Sequence, residues 1–181
     1  MTILVVWSSC PASADSPRDR EARFASREGN IAFLALGVLL PLLTDGSGGG
    51  RQSLRNLDAL ATSSLLCEGL KRITREKRPD TDEQNSFPSG HATAAFTIAE
   101  MQSRRHPEQK LLWYGGAGLI AESRVYLRRH HARDVLAGAA LGIGTADAQL
   151  RQPRGFLIAP FVSPGRGGKG RTMGIQLWRS F

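Results

Sequence analysis

Apolar positions along the chain gather into stretches with helical spacing, divided by polar or glycine-rich breaks. The longest apolar run, Ile31 to Leu43, is interrupted by Gly37 and Pro41. It is shorter than the roughly 20 residues that cross a bilayer, and later runs such as Val135 to Ala146 are shorter still. By this measure no segment qualifies as a membrane span. A bundle that is soluble, or that rests partly in a membrane, fits the pattern better than a set of spans.

After a flexible break at 45–50 (DGSGGG), Leu54, Leu57, Ala61, Leu66, Leu70 and Ile73 recur at helical spacing. They predict an amphipathic helix ending near Pro79. Asp80 to Phe87 reads as a polar loop. Further helices are predicted from Pro88-Ser89 to about Arg104, from Gln109 to about Tyr126 and from Ala132 to Leu150. The last two are rich in Gly and Ala, which lets helices approach closely. Beyond them, 156–162 and 172–178 alternate like strands around the turn-rich SPGRGGKG, which suggests a terminal β-hairpin. The expected fold is all-α, a compact bundle of about five helices over 24–150. A leader and linker (1–23) precede it, and a basic Gly/Pro-rich tail (151–181) follows.

Composition adds little to this except through charge. With 41% hydrophobic and 22% charged residues in 181, the chain is ordinary for a globular protein. Its net charge of +8 is uneven, because Arg151, Arg154, Arg166, Lys169, Arg171 and Arg179 in the tail face no acidic residue there. Such a tail suits anionic lipid headgroups, and we expect an anionic membrane surface as a partner. Nucleic acid is not expected, since no motif supports it and aromatics are 7% of the chain. Cys67 falls in an apolar helical stretch and reads as core. Near the amino end, an apolar patch from Ile3 to Trp7 precedes Ala12-Ser13-Ala14, the small-x-small form of a signal-peptidase site. The patch is shorter than a secretory signal's and no Lys or Arg stands before it, so it reads as a shortened signal peptide.

Three clusters carry the chemistry. In KRITREKRP, Lys71 and Arg78 are seven residues apart. On a continuous helix that is two turns, which sets both cations on one face roughly 10 Å apart, able to close on one anion. Pro88-Ser89-Gly90-His91 opens a predicted helix: Pro suits its first turn, Ser caps it, and Gly lets a ligand approach the backbone. Its free N–H groups make an anion site beside His91. In the third cluster, Ser123-Arg124 precedes His130, and Asp134 stands four residues after that histidine. At this offset a carboxylate can orient an imidazole and stabilise its cation. His131 competes for the role but lacks the four-residue offset.

In order and spacing, these clusters resemble the signature of the type 2 phosphatidic acid phosphatase and vanadium haloperoxidase superfamily. That signature reads Lys, six residues, Arg-Pro; then Pro-Ser-Gly-His; then Ser-Arg, five residues, His, three residues, Asp. The resemblance runs from about Ile31 through Leu150, with shorter apolar segments than in multispanning lipid phosphatases and a more basic filler at His131-Ala132-Arg133. It implies that Lys71, Arg78, Ser89, Gly90 and Arg124 hold the phosphoryl oxygens. It also implies that His130 is the nucleophile, that Asp134 orients it, and that His91 is the acid and then the base. The expected activity is phosphate-ester hydrolysis through a phosphohistidine. The substrate would be a lipid phosphate or another monoester or diphosphate. No metal cofactor is expected, and vanadate should act as an inhibitor. A haloperoxidase and a non-catalytic anion- or membrane-binding module are the alternatives. The first usually needs a longer chain, and the second has no use for His91, His130 and Asp134. The site is expected at a membrane or in the periplasm, facing away from the cytoplasm.

Overall fold

The computed structural model describes residues 16–152 and the backbone of 158–164 and 171–177. The leader patch and its Ala12-Ser13-Ala14 lie outside the described residues. The first helix, α1 (Pro17–Phe24), starts with a reciprocal cap. The Ser16 hydroxyl accepts from the Asp19 N–H at 3.1 Å, and Asp19 accepts from the Ser16 N–H at 3.0 Å. Without a break, α1 passes through a π turn (Ala25–Gly29) into α2 (Asn30–Thr44). The segment 17–23, expected to belong to a linker, is therefore helical. It packs on α5 through Arg18, which pairs with Glu122 and lies over the Tyr126 ring.

This continuity adds one candidate span that the apolar runs taken singly do not show. Pro17–Thr44 forms one rod of 28 residues, and it is long and apolar enough to cross a membrane by length and composition. The turns before Ile31 are polar and lengthen the rod, while its apolar part remains the stretch around α2.

Pro41 lies inside α2 and has no N–H, so the Gly37 carbonyl one turn earlier loses its helical partner. Two buried amides replace it: Asn56 donates to that oxygen at 2.8 Å and Gln102 at 2.5 Å. The helix defect thereby joins α2 to α3 (Gly49–Thr74) and α4 (Gly90–Arg105). DGSGGG is not a loose linker. Gly46 takes φ +54° and a 3-10 turn follows, so α3 starts against the Pro41 carbonyl, where a Cβ on Gly49 would come within 2.0 Å.

The centre of the bundle is α4, whose Ala92, Ala95, Ile98, Ala99 and Met101 are fully buried. Around it lie α5 (Lys110–Tyr126) and α6 (Ala132–Leu150), close to their expected limits. Helices α4 and α6 touch backbone to backbone. A Cβ on Gly142 would lie 2.3 Å from the Thr93 carbonyl oxygen, and one on Gly138 would lie 2.5 Å from that of Ser89. With α1 and α2 merged, the all-α bundle has five rods. A hairpin of β1 (Ile158–Pro164) and β2 (Arg171–Leu177) follows, antiparallel, with Phe161 opposite Gly174.

The outside of the bundle is unusually apolar. Leu43, Ile73 and Leu111 are each at least 80% exposed, and Ile31, Leu65, Leu112, Leu119 and Leu136 are also exposed. Exposed large apolar side chains in this number suit a membrane or a partner surface.

Candidate active site

The site lies where the starts of α4 and α6 meet the end of α5 and the loop after α3. Ser89 is the N-cap of α4, as expected, but its hydroxyl makes no capping bond. Its backbone N–H donates to the Asp134 carbonyl at 2.9 Å. The Oγ is buried without a partner. The helix begins at Gly90 rather than Pro88, so Pro88 precedes the cap and is joined to Phe87 by a cis peptide. Gly90 runs close to Lys71: a Cβ there would sit 3.4 Å from Lys71 Nζ.

Lys71 and Arg78 do not share a helix face, contrary to the expectation. Helix α3 stops at Thr74, and Arg75 caps it in the left-handed region at φ 47°. The pre-proline position of Arg78 disfavours helix, and the loop has its own bonds. Arg78 N–H donates to the Glu83 carbonyl at 3.0 Å, and Ser86 N–H to that of Glu76 at 2.9 Å. Arg78 thus reaches the site from a loop. Its Nε donates to Asn85 at 2.6 Å, while Lys71 donates to Glu68 at 2.8 Å.

Arg124, in the last turn of α5, is buried; its Nη1 donates to the Ser26 hydroxyl and its Nε has no partner. Burial, then the Arg78 and Arg129 charges, lower its pKa to about 10, so it stays charged at neutral pH. His91 and His130 are each lowered to about 4. For both the first cause is burial, followed by the charge of Arg124. Lys71 and Arg78 add to this at His91, and Arg78 does so at His130. His91, His130, Arg78 and Arg124 therefore sit in one electrostatic neighbourhood, with Lys71 at the His91 side.

The Asp134 carboxylate is fully buried, and its bonds differ from the expectation. Oδ2 accepts from the Ser86 hydroxyl at 2.5 Å and the His131 N–H at 3.0 Å. His130 Nδ1 lies 3.7 Å from that oxygen, outside hydrogen-bond range, whereas His131 Nδ1 is at 3.3 Å. The reason is local: Asp134 is the third residue of α6, and it caps its own helix by bonding back to His131. Burial alone would raise its pKa, but the Ser86 and His131 bonds outweigh this and hold it below the ordinary value. His130 is 3% exposed, whereas the side chain of His131 is 44% exposed.

Two residues of the site were not anticipated. Ser86 grips Asp134, and Ser26, on the π turn, touches Arg124 and hydrogen-bonds through its backbone to His91. Ser86 stands only two residues before the Pro-Ser-Gly-His motif, which was the available clue. Ser26 offered none. Among the described residues, Glu76, His131 and Asp134 bring potential metal-ligand atoms within 4.8 Å of one another. Arg133 is paired with Glu76, and the bonds to Asp134 Oδ2 tie the group into an ion-pair network.

Comparison with known sequences decides the family. Residues 54–155 match the PAP2 superfamily. The chain belongs to this superfamily. It is similar to the lipid A 1-phosphatase of Porphyromonas gingivalis, at 37% identity over 90 residues, 44% of this chain and 20% of that protein. It is also similar to the bacitracin transport permease protein BcrC of Bacillus licheniformis, at 26% identity over 125 residues, 63% of this chain and 62% of that one. The PAP2 chain thus spans about a fifth of the first relative and under two thirds of the second. In structure it is similar to LpxE of Aquifex aeolicus, with a TM-score of 0.66 and 24% identity over 77% of this chain and 89% of that one. That likeness supports the PAP2 helical fold. The matched stretch contains all three motif clusters and omits α1 and α2.

Proposed function

We propose that this PAP2 chain is a metal-independent phosphatase that removes phosphate from a lipid phosphate through a phosphohistidine at His130. One observation carries the reading. Around two neutral histidines lie the charges of Arg78 and Arg124 and two buried donors without partners, Ser89 Oγ and Arg124 Nε. Buried polar atoms are rarely left unpaired, and a phosphoryl group supplies what these donors lack. Its transfer is governed by positioning and by stabilisation of oxygen charge. The cations and the start of α4 offer both.

His130 is neutral at pH 7 and so has a free lone pair. Nδ1 faces Asp134, which leaves Nε2 to attack phosphorus. As the P–N bond forms, the P–O bond to the alcohol breaks, and His91 gives its proton to the departing oxygen. Burial and then the charges of Arg124 and Lys71 hold His91 deprotonated; a bound phosphate dianion offsets those charges and favours a proton on His91 when one is needed. Water then attacks the phosphohistidine, His91 takes its proton, and the P–N bond breaks to release phosphate. Asp134 stabilises the charged His130 ring across the 3.7 Å gap. The substrate class rests on the exposed leucines, on the apolar stretch of the Pro17–Thr44 rod, and on the lipid phosphatase to which the chain is similar. We place the rod in a membrane with the site facing away from the cytoplasm.

The test is phosphate release from a panel of lipid phosphates in detergent micelles with EDTA. Wild type should turn over and be blocked by vanadate. H130A should lose all measurable release, whereas H131A should keep a substantial part. Equal losses in the two variants, or activity only after a divalent metal is restored, would refute the mechanism.

A further inference from the structure

Of Glu76, His131 and Asp134, only Asp134 has a part in phosphoryl transfer, yet two segments of the fold bring all three together. The left-handed Arg75 ends α3 and turns the chain, and the bond from Ser86 N–H to the Glu76 carbonyl fixes the backbone of Glu76 in the loop that follows. His131 is the N-cap of α6 and Asp134 its third residue. The spacing of their side chains is that of metal ligands. Zn²⁺ binds imidazole nitrogen and carboxylate oxygen at about 2.0–2.2 Å in a tetrahedron, whose corners then stand roughly 3.3–3.5 Å apart. His131 Nδ1 lies 3.3 Å from Asp134 Oδ2 and 3.8 Å from Glu76 Oε1. One edge already has the required length, and the partly exposed Glu76 side chain can close the other. The His131 ring is partly open to solvent, which leaves a fourth corner for water.

The surroundings also call for a cation. Asp134 is fully buried, and its Oδ1 has no hydrogen-bond partner among the described residues. The charge set against that oxygen is Arg133, whose Nε is 3.8 Å away while its Nη2 donates to Glu76. One guanidinium thus spans both carboxylates. Arg133 is largely exposed, so its hold is that of a surface ion pair and is weak. A divalent ion, bound by the imidazole as well, can displace it. One imidazole with two carboxylates suits Zn²⁺ ahead of Mg²⁺ or Ca²⁺, which take oxygen ligands alone.

We propose that Glu76, His131 and Asp134 form an inhibitory site for a divalent transition metal, Zn²⁺ in particular. Two positive charges on Asp134 oppose what this carboxylate does for His130, which is to stabilise the charged ring across 3.7 Å. The bound ion therefore lowers kcat and leaves Arg78, Arg124 and the start of α4 in place to bind phosphate. The inhibition rests on the phosphatase reading; the metal site does not, and is tested by binding alone.

The full chain in detergent is stripped with EDTA, freed of chelator and titrated calorimetrically with Zn²⁺ in a phosphate-free buffer. One ion should bind saturably. E76Q and H131A should each weaken binding about tenfold or more, and R133Q, which frees Glu76, should tighten it. In lipid-phosphate kinetics, zinc should lower the kcat of wild type with KM little changed, and EDTA should restore it. E76Q should keep its zinc-free rate and resist the inhibition. No saturable binding, or an affinity that neither E76Q nor H131A alters, overturns the metal site. Binding through these residues with undiminished turnover overturns the inhibition. Binding through them in a protein that releases no phosphate even without zinc would instead overturn the phosphatase reading and leave the metal site standing.

Discussion

Lowering the pH from about 7 to about 4.5 tests the electrostatics of the site through His130, whose side chain is only 2% exposed. In the fold its pKa is lowered to about 4, first by burial and then by Arg124 and Arg78. In the unfolded chain it returns to about 6.5. Between these values the unfolded state binds more protons, so stability must fall as the pH falls through 6.5 toward 4. Over the stated range this one group removes about 2 kcal/mol. The assay is reversible denaturant unfolding in detergent, in a buffer free of phosphate. Wild type should lose about 2 kcal/mol more than H130Q across the range, because Gln has nothing to protonate. Adding vanadate should shrink the difference, since a bound anion favours the charged imidazole and raises its folded pKa. Equal acid losses in wild type and H130Q, or an NMR titration of His130 near its ordinary value, would refute the reasoning.

Removing the Ser86 hydroxyl takes away the shortest bond to a fully buried carboxylate. S86A should cost about 1–3 kcal/mol and lower kcat more than it raises KM, read from unfolding curves and lipid-phosphate kinetics; unchanged kcat would mean that Asp134 does not need this support. G142A would push a methyl to 2.3 Å from the Thr93 carbonyl, so it should destabilise by about 1–3 kcal/mol and reduce activity by moving α6 from Ser89, with thermal unfolding as the check. Liposome association should persist in high salt and yield only to detergent, because the Pro17–Thr44 rod and the exposed leucines engage the lipid; release by salt alone would restore the basic tail as the principal anchor.

Much of the site was legible because it is organised by helix starts and motif spacing. The limits of α5 and α6 follow from apolar periodicity, and the close approach of α4 and α6 was foreshadowed by glycine content. What escaped the sequence depends on competition between local bonds. A seven-residue spacing places Lys71 and Arg78 together only if the helix continues. The left-handed Arg75, the proline after Arg78 and the bonds within the loop end it sooner. The four-residue offset from His130 to Asp134 was read as a hydrogen bond, yet the same carboxylate also stood at a helix start and was claimed by His131 and Ser86. Ser26 carries no motif, because its position depends on a single wide turn in a long helix. Pro41 showed in sequence as an interruption, but the two amides that repair it come from helices 15 and 61 residues further along.

Three cations of the site already have partners. Lys71 is held by Glu68, Arg78 by Asn85 with Glu83 at 3.6 Å, and Arg129 by Asp80. On the proposed reading, a phosphate that arrives competes with resident oxygens for the N–H groups of these three side chains. The affinity that results is the difference between two sets of bonds and is smaller than the number of cations suggests. The residents return when phosphate departs, so the protein never has to leave several positive charges bare. On the proposed phosphatase reading, such an exchange favours turnover over retention, because the side chains that receive the product's oxygens have ready replacements.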